Sequence, residues 1–443
     1  METPAQLETE KIGSLLWRFS LPAITGMVVN ALYNVVDSIF VGRGVGEIGL
    51  AAVTVAFPIM ILMMGFGMLV GVGASALVSI RLGQGCQAAA EEILGNALAL
   101  TAVIAVILAG VLSAFLDPVL IWLGSGPEVL PHARAFTRII IGGSLFMYIG
   151  FGLNNIIRAE GNPRLAMATM LISAFINTVL NPLFIFGLGL GIAGSALATV
   201  VAQTVSAVWV VAHFLSPRST LKLRLRNLGW RRDTVLEILK IGFSPFMMQI
   251  AAGVVVFLYN YGLLAHGGAI AVAAYGVISR IAMLILMPIF GISQGVQPII
   301  GYNYGARRYG RVKAAVRLAA AAAVAIATAG LITVEVLDVH IIRLFNADPA
   351  LVAIGAFGLR VNLLMLPLIG FQVIGANYFQ AVGKASQAAM LSMSRQVIIL
   401  IPLVITLPRL FGLEGIWFAA PVSDLLSALL TGAFLYSEFR RLI

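Results

Sequence analysis

Long apolar stretches alternate with short polar segments along the whole chain. A hydrocarbon core of about 30 Å requires about 20 apolar helical residues, so each stretch is long enough to cross a bilayer once. The pattern therefore predicts an all-α membrane protein with twelve transmembrane helices. The predicted spans are residues 16–41, 50–80, 93–116, 135–158, 165–187, 191–215, 241–265, 270–301, 315–337, 352–379, 387–407 and 413–436.

The second half of the chain resembles the first half at a nearly constant offset. The segment GVGASALVSIRLGQG at 71–85 aligns with GISQGVQPIIGYNYG at 291–305, for example. Because six crossings return the chain to its starting side, we expect two six-helix bundles related by a pseudo-two-fold axis along the membrane normal. The predicted parts are an N-terminal lobe of residues 1–215, a cytoplasmic linker of residues 216–240 and a C-terminal lobe of residues 241–443.

Composition and charge support this interpretation and indicate an orientation. Hydrophobic residues make up 60% of the chain and charged residues only 10%, which is too little polar surface for a soluble protein of 443 residues. If the amino terminus is cytoplasmic, 21 of the 28 Lys and Arg residues fall on the inner side. This asymmetry predicts a multi-pass protein of the cytoplasmic (inner) membrane with both termini cytoplasmic. We expect no nucleic-acid partner, because the basic residues lie between apolar runs.

Asp37 lies inside the otherwise uncharged run of residues 19–42. A carboxylate in hydrocarbon costs roughly 2.5 to 3.5 kcal/mol, so it persists only where it faces a cavity, a partner or a passing ion. Other polar residues precede it at steps of three or four, which places them on the same helix face. They are Asn30, Tyr33 and Asn34. Ion transport is therefore the first hypothesis for this stripe.

Several motifs resemble those of one transporter family. They are FSLPAI at 19, VVDSIFVGR at 35, INTVLNPLFIFGLGLGIAGSALATVVAQ at 176 and GVQPIIGYNYGA at 295. Together they look like the multidrug and toxic compound extrusion (MATE) family, and the chain is most similar to its prokaryotic DinF-like and MepA-like branch. The resemblance implies an antiporter that exports organic, often cationic, compounds in exchange for H+ or Na+ by alternating access. It further implies a monomer whose partners are drugs and membrane lipid, with no cofactor besides the coupling ion.

The resemblance also implies a cation site. The family's amino-lobe site maps onto Asp37, Asn177, Asn181 and Thr199, and Asn154 joins Asn30, Tyr33 and Asn34 as supporting polar residues. Many relatives carry an acidic residue where this chain has Asn181. Because the affinity for a hard cation rises with ligand charge, this difference favours H+ slightly over Na+ bound at those four residues.

Two further features indicate roles outside that site. Asp424 and Arg280 each lie about ten residues inside a predicted span, so we expect them to pair as a buried structural ion pair or as a second proton-linked site. Pro22 permits a kink in the first span that protonation of Asp37 would bias, which makes it a candidate hinge. The offset between segments 71–85 and 291–305 leads from Asp37 to Phe257, so we expect no equivalent carboxylate in the second half.

Other function classes fit less well. The four histidines form no HExxH motif, and the chain contains no Walker loop, so we expect a non-enzyme driven by an ion gradient. The alternative is a lipid-linked precursor flippase of a related lobed fold, although such proteins resemble fourteen-span chains with a cationic cavity. A non-transporting membrane scaffold would tolerate Asp37→Asn without consequence.

Overall fold

The computed structural model describes residues 6–345 and 348–442, and these residues form helices and no β-strand. The predicted all-α class is thus confirmed for the described residues. Short π-helical turns follow α8 at Leu183–Gly187 and α14 at Ser394–Leu400. The helices are α1 (Gln6–Thr9), α2 (Ile12–Val45), α3 (Glu47–Gly83), α4 (Gln87–Ala114), α5 (Leu116–Trp122), α6 (Leu130–Gly142), α7 (Ser144–Ala159), α8 (Pro163–Pro182), α9 (Gly191–Leu215), α10 (Arg232–Gly305), α11 (Tyr309–Phe345), α12 (Pro349–Leu363), α13 (Leu366–Ala381), α14 (Ala385–Met393) and α15 (Ile401–Arg441).

The described helices provide the predicted number of apolar segments. Eight continuous helical stretches are long and apolar enough to cross a membrane, and two bent pairs, α6 with α7 and α12 with α13, raise the number to ten. The helix α10 has 74 residues, and an unbroken helix of that size would be about 110 Å long. It breaks at Gly268, and α15 breaks at Gly412, each with positive φ. These two breaks bring the number of apolar segments to twelve.

The backbone repeats the duplication that the sequence shows. Residues with positive φ recur at a nearly constant separation along the chain, so the two halves turn at equivalent positions. The pairs are Gly46 with Gly268, Gly85 with Arg307, Gly161 with Gly383, and Gly191 with Gly412. Gly46 and Gly268, the first pair, lie at the end of the first span of each half. The separation between these two glycines leads from Asp37 to Tyr259, which is therefore its equivalent in the second half. The offset predicted from sequence, which leads to Phe257, is two positions too short.

The chain divides into two compact units, and two helices belong partly to each. Thr25–Phe246 and the described part of Met1–Glu10 form the first unit, and Lys11–Ile24 with Met247 onward form the second. The first turns of α2 therefore belong to the second unit, and the first turns of α10 belong to the first. The lobe boundaries predicted from chain order alone stay predictions. The extreme ends, residues 1–5 and 443, lie outside the described residues.

Glycines hold these first turns against the body of each unit. In the first unit, a Cβ on Gly242 of α10 would lie 1.7 Å from the carbonyl oxygen of Leu69 on α3. In the second unit, a Cβ on Gly295 would lie 2.7 Å from Cα of Ser20 on α2. Such distances leave no room for a side chain, so the backbones approach directly, as small residues allow between membrane helices. In the first unit the glycine lies in the first turns of α10 themselves. In the second unit it lies on the later part of α10, which the first turns of α2 contact.

The segment predicted as a linker, residues 216–240, contains one 3₁₀ turn at Leu225–Asn227, and α10 begins at Arg232. A buried carboxylate on the turn after α7 fastens it to the first unit. Glu160 accepts hydrogen bonds from Ser219 Oγ at 2.8 Å and the Leu221 amide at 3.4 Å, and it pairs with His213 Nε2. The linker is thus bound to the ends of the helices of the first unit.

Glu160→Gln is expected to lower the free energy of unfolding by about 2–4 kcal/mol, because buried donors would lose their charged acceptor. Glu237→Gln is the matched control, since Glu237 pairs with Arg81 on the surface, where side chains are 49% and 36% exposed. That pair is worth at most about 1 kcal/mol. Denaturant unfolding of the purified protein in detergent measures both variants. Equal losses in the two would show that the Glu160 cluster is not a structural anchor.

Candidate functional site

Asp37 lies where α2 meets α8 and α9 within the first unit. Its Oδ1 accepts one hydrogen bond from Ser195 Oγ, at 2.9 Å, and another from Asn181 Nδ2. Ser195 and Asn181 are fully buried, whereas Asp37 keeps part of its surface accessible. Among the described residues no basic side chain pairs with Asp37. Two neutral donors therefore hold a carboxylate whose charge stays available to a cation.

A second polar contact lies one helical turn away. Asn177 Nδ2 donates to Thr199 Oγ1 at 3.0 Å, again between α8 and α9. The two contacts are regularly spaced because α8 and α9 are antiparallel. Asn177 lies four residues before Asn181 on α8, and Thr199 lies four residues after Ser195 on α9. Four residues of a helix rise about 6 Å. The site thus has two polar layers, one at the Asp37 carboxylate and one about one helical turn away along α8 and α9.

The chain around the turn between α8 and α9 explains this register. Pro182 follows Asn181 directly, and the next residues form the π-helical turn Leu183–Gly187. A Cβ on Gly194 would lie 2.8 Å from the carbonyl oxygen of Phe184 in that turn. Only glycine permits so close an approach, so Gly194 brings the start of α9, and with it Ser195, against α8. Short π-helical segments occur often at functional sites.

The structure brings together some of the predicted site residues. Asp37 contacts Asn181, and Asn177 contacts Thr199, as described above. On α2, Asn34 Nδ2 donates to Asn30 Oδ1 at 3.0 Å, and Tyr33 lies about one turn before Asp37 on the same helix. Asn154 instead donates to the Ala166 carbonyl oxygen at 3.3 Å, which joins α7 to α8.

Ser195 is a contact of Asp37 that the sequence interpretation missed. Serine in an apolar span is an ordinary residue, and it packs between helices without any special role in most cases. The available signal was its position four residues before Thr199, on the same face of the same span. The spacing of four residues between Ser195 and Thr199 matches that between Asn177 and Asn181.

The oxygen atoms at the site fit a proton or a small monovalent cation. Asn181 Oδ1 is buried and has no protein partner, so it remains free to coordinate an ion beside the carboxylate. The described residues contain no cluster of three or more His, Cys, Asp or Glu side chains. Divalent and transition metals in proteins are usually bound by several carboxylates or by histidine nitrogen and cysteine sulfur atoms. One carboxylate with amide and hydroxyl oxygens therefore suits H+ or Na+ better.

Asp424 has a different partner from the one predicted. Arg395 Nε lies 2.7 Å from Asp424 Oδ1, and the carboxylate is only 3% exposed. Arg280 is exposed and makes no ion pair with Asp424, so the predicted Asp424–Arg280 pair is wrong. The cause is the π-helical turn Ser394–Leu400, which contains Arg395 and packs on α15, where Ser423 Oγ donates to the Arg395 carbonyl oxygen at 2.6 Å.

The second unit has aromatic rings at the positions equivalent to the Asp37 site. Tyr259, the counterpart of Asp37, is 2% exposed and stacks on Tyr275 at 4.8 Å between ring centroids. The ring centroid of Tyr275 in turn lies 6.4 Å from that of the fully buried Trp417. Trp417 stands near the position equivalent to Ser195. The position equivalent to Asp37 is thus occupied by Tyr259, whereas the offset predicted from sequence led to Phe257. Aromatic packing there replaces the polar contacts of the first unit.

Comparison with known proteins gives consistent matches over the whole chain. The MatE family model matches residues 22–183 and again residues 245–406. The multidrug export protein MepA of Staphylococcus haemolyticus is 28% identical over 435 residues, which cover 98% of this chain and 96% of that protein. A structure described as the outward-facing conformation of a multidrug resistance MATE family transporter of the MOP superfamily has a TM-score of 0.92 at 25% identity, covering 99% of this chain and 98% of that one. A MATE structure in the bent conformation has a TM-score of 0.93 at 25% identity, with the same coverage. These likenesses confirm the predicted two-lobed, twelve-helix fold class.

A double-mutant cycle tests the hydrogen bond between Ser195 and Asp37. We expect Asp37→Asn and Ser195→Ala to be coupled by about 1.5–3 kcal/mol in the free energy of unfolding, because the bond has a charged acceptor. The control cycle joins Asp37→Asn with Thr199→Ala, whose hydroxyl bonds Asn177 instead, and its coupling should be within about 0.5 kcal/mol of zero. Denaturant unfolding in detergent provides all values. Equal coupling in the two cycles would contradict the two-layer arrangement.

Proposed function

We propose that this chain, which belongs to the MatE family, is a multidrug efflux antiporter that exchanges organic, often cationic, compounds for H+ or Na+. Its family predicted from sequence motifs is confirmed, and its relatives are multidrug export proteins. The observation that carries the coupling proposal is the geometry of Asp37. A partly accessible carboxylate inside a membrane span, held by neutral donors alone, attracts a cation and can release it again.

The neutral donors allow the charge on Asp37 to change during a cycle. When the carboxylate is ionised, Asn181 and Ser195 donate to it and offset part of its desolvation. When it takes a proton or Na+, it no longer needs both donors, and the Asn181 amide can turn its free Oδ1 toward the ion. The contact between α2 and the α8–α9 pair therefore differs between the two states.

Exchange requires that the ion and the drug favour different conformations. A ligand shifts an equilibrium only by its differential affinity for the two states, and the coupling between two ligands is reciprocal. In the proposed cycle, uptake of the ion at Asp37 from outside releases the drug outward. Loss of the ion to the cytoplasm then resets the site for a cytoplasmic substrate, and the protein works as a monomer in the cytoplasmic membrane with both termini inside.

Pro22 is the proposed hinge of this cycle. It is buried inside α2, where it removes one backbone hydrogen bond, and it lies two residues before the point at which α2 passes from one unit to the other. A bend at this position would move Asp37, fifteen residues further along the same helix, relative to the first turns. A change in the hydrogen bonds of Asp37 would in turn bias the bend.

H+ is favoured slightly over Na+ as the coupling ion. The site provides one carboxylate, because Asn181 stands where many relatives have an acidic residue. A proton needs only that carboxylate, whereas Na+ also needs the oxygens of Asn177, Asn181 and Thr199 to turn inward. A flippase for lipid-linked precursors remains the alternative function, and efflux of an organic cation driven by an ion gradient distinguishes the two.

Asp37→Asn is expected to reduce gradient-driven efflux of a fluorescent organic cation from proteoliposomes at least about tenfold, since an amide cannot exchange a proton. Asp117→Asn is the matched control, because Asp117 makes a surface pair with Arg134 and should retain nearly full activity. Thermal unfolding of each variant checks folding. Near-normal efflux by Asp37→Asn would overturn the coupling proposal.

Asn181→Asp tests the choice of ion. A second carboxylate raises the ligand charge, so we expect this variant to gain efflux driven by an inward Na+ gradient at constant pH. The wild type should respond mainly to a pH gradient when the two gradients are imposed separately. If a Na+ gradient alone drives efflux by the wild type, Na+ is the coupling ion and the preference for H+ is wrong.

A further inference from the structure

An apolar groove lies on the second unit between α13 and the last part of α15. Its volume is about 510 Å³, within the range of pockets that hold a small ligand. Gly432 forms part of its floor, and a Cβ there would meet only the Phe371 ring, at 3.9 Å. The main lining residues are Leu368, Phe371, Leu425, Leu429, Gly432 and Tyr436.

The groove has the length of one leaflet of a bilayer. Leu425 and Tyr436 mark its extent along α15, and eleven residues of helix rise about 16 Å. Half of a hydrocarbon core of about 30 Å is about 15 Å. In the proposed orientation α15 ends in the cytoplasm, so the groove extends from the middle of the membrane to the cytoplasmic surface. An extended acyl chain has the shape and polarity that match it.

A cation lies at the surface end of the groove. The guanidinium carbon of Arg440 is 4.5 Å from the centroid of the Tyr436 ring, one helical turn beyond the lining residues. Arg440 and Arg441 are both exposed. The nearby carboxylate of Glu438 does not oppose an anion, because it is buried and Lys384 Nζ lies 2.6 Å from both of its oxygens. The end of the groove therefore offers positive charge at the depth of lipid headgroups.

We propose that this groove binds an anionic phospholipid, with one acyl chain between α13 and α15 and the phosphate at Arg440. Arginine forms paired hydrogen bonds with phosphate oxygens, and its stacking on Tyr436 holds the guanidinium in place for that contact. The charge argues against an exported organic cation as the occupant, because Arg440 would repel it. This site is separate from Asp37, which lies in the other unit, so failure of one proposal leaves the other intact.

Native mass spectrometry of the full chain in detergent, with equal amounts of phosphatidylglycerol and phosphatidylcholine of the same chain length, tests the proposal. We expect the wild type to retain phosphatidylglycerol about tenfold more than phosphatidylcholine. Gly432→Trp fills the groove and should lower retention of phosphatidylglycerol about tenfold. Gly110→Trp is its control, since a Cβ on Gly110 meets nothing within 4 Å.

The charge is tested by separate variants that leave the groove intact. Arg440→Gln should remove the preference for phosphatidylglycerol, and Arg440→Lys should keep most of it. Arg218→Gln, which removes another exposed arginine, should change nothing. Equal retention of both lipids by the wild type, an unaltered preference in Arg440→Gln, or displacement of the lipid by an organic cation would each overturn the proposal.

Discussion

The hydrogen bonds from Asn181 and Ser195 to Asp37 are the interactions on which the rest of this structure's chemistry depends. Both donors are neutral, so they stabilise the carboxylate in the membrane without cancelling its charge. Asp424 shows the contrast, because Arg395 pairs with it directly. A carboxylate that already has a cationic partner gains little from binding another cation, whereas Asp37 has only neutral partners among the described residues, as the proposed exchange requires. The two buried aspartates thus differ in their partners, which are neutral at Asp37 and cationic at Asp424.

The duplicated halves differ at the position of Asp37. The two halves turn at equivalent residues and anchor their first turns through equivalent close helix contacts, yet Tyr259 stands where the first half has Asp37. At that position in the second unit, the rings of Tyr259 and Tyr275 stack on each other. The proposed ion site therefore lies in the first unit, and the proposed lipid groove lies in the second.

Much of this could be predicted from the sequence, because hydrophobic spans and repeated turns are local properties. The spans, the repeat and the polar stripe before Asp37 all follow from residue spacing. The partners of buried charges do not, since they depend on the rotation of one helix against another. Arg395 lies inside the predicted span of residues 387–407, and the π-helical turn that directs it to Asp424 leaves no clear sequence signal. Ser195 was missed because a single hydroxyl in an apolar span is common, and its spacing of four residues from Thr199 was the one sequence signal that could have indicated it.

The central claim is that Asp37 is the residue whose bound ion the substrate displaces. Its most direct test is the ion released when an organic cation is added to the purified protein in weakly buffered detergent solution, followed with pH and Na+ electrodes. The account predicts that the wild type releases about one ion per bound drug molecule and that Asp37→Asn binds the drug but releases none. Equal release from both proteins would show that the coupling ion binds elsewhere and would contradict the account.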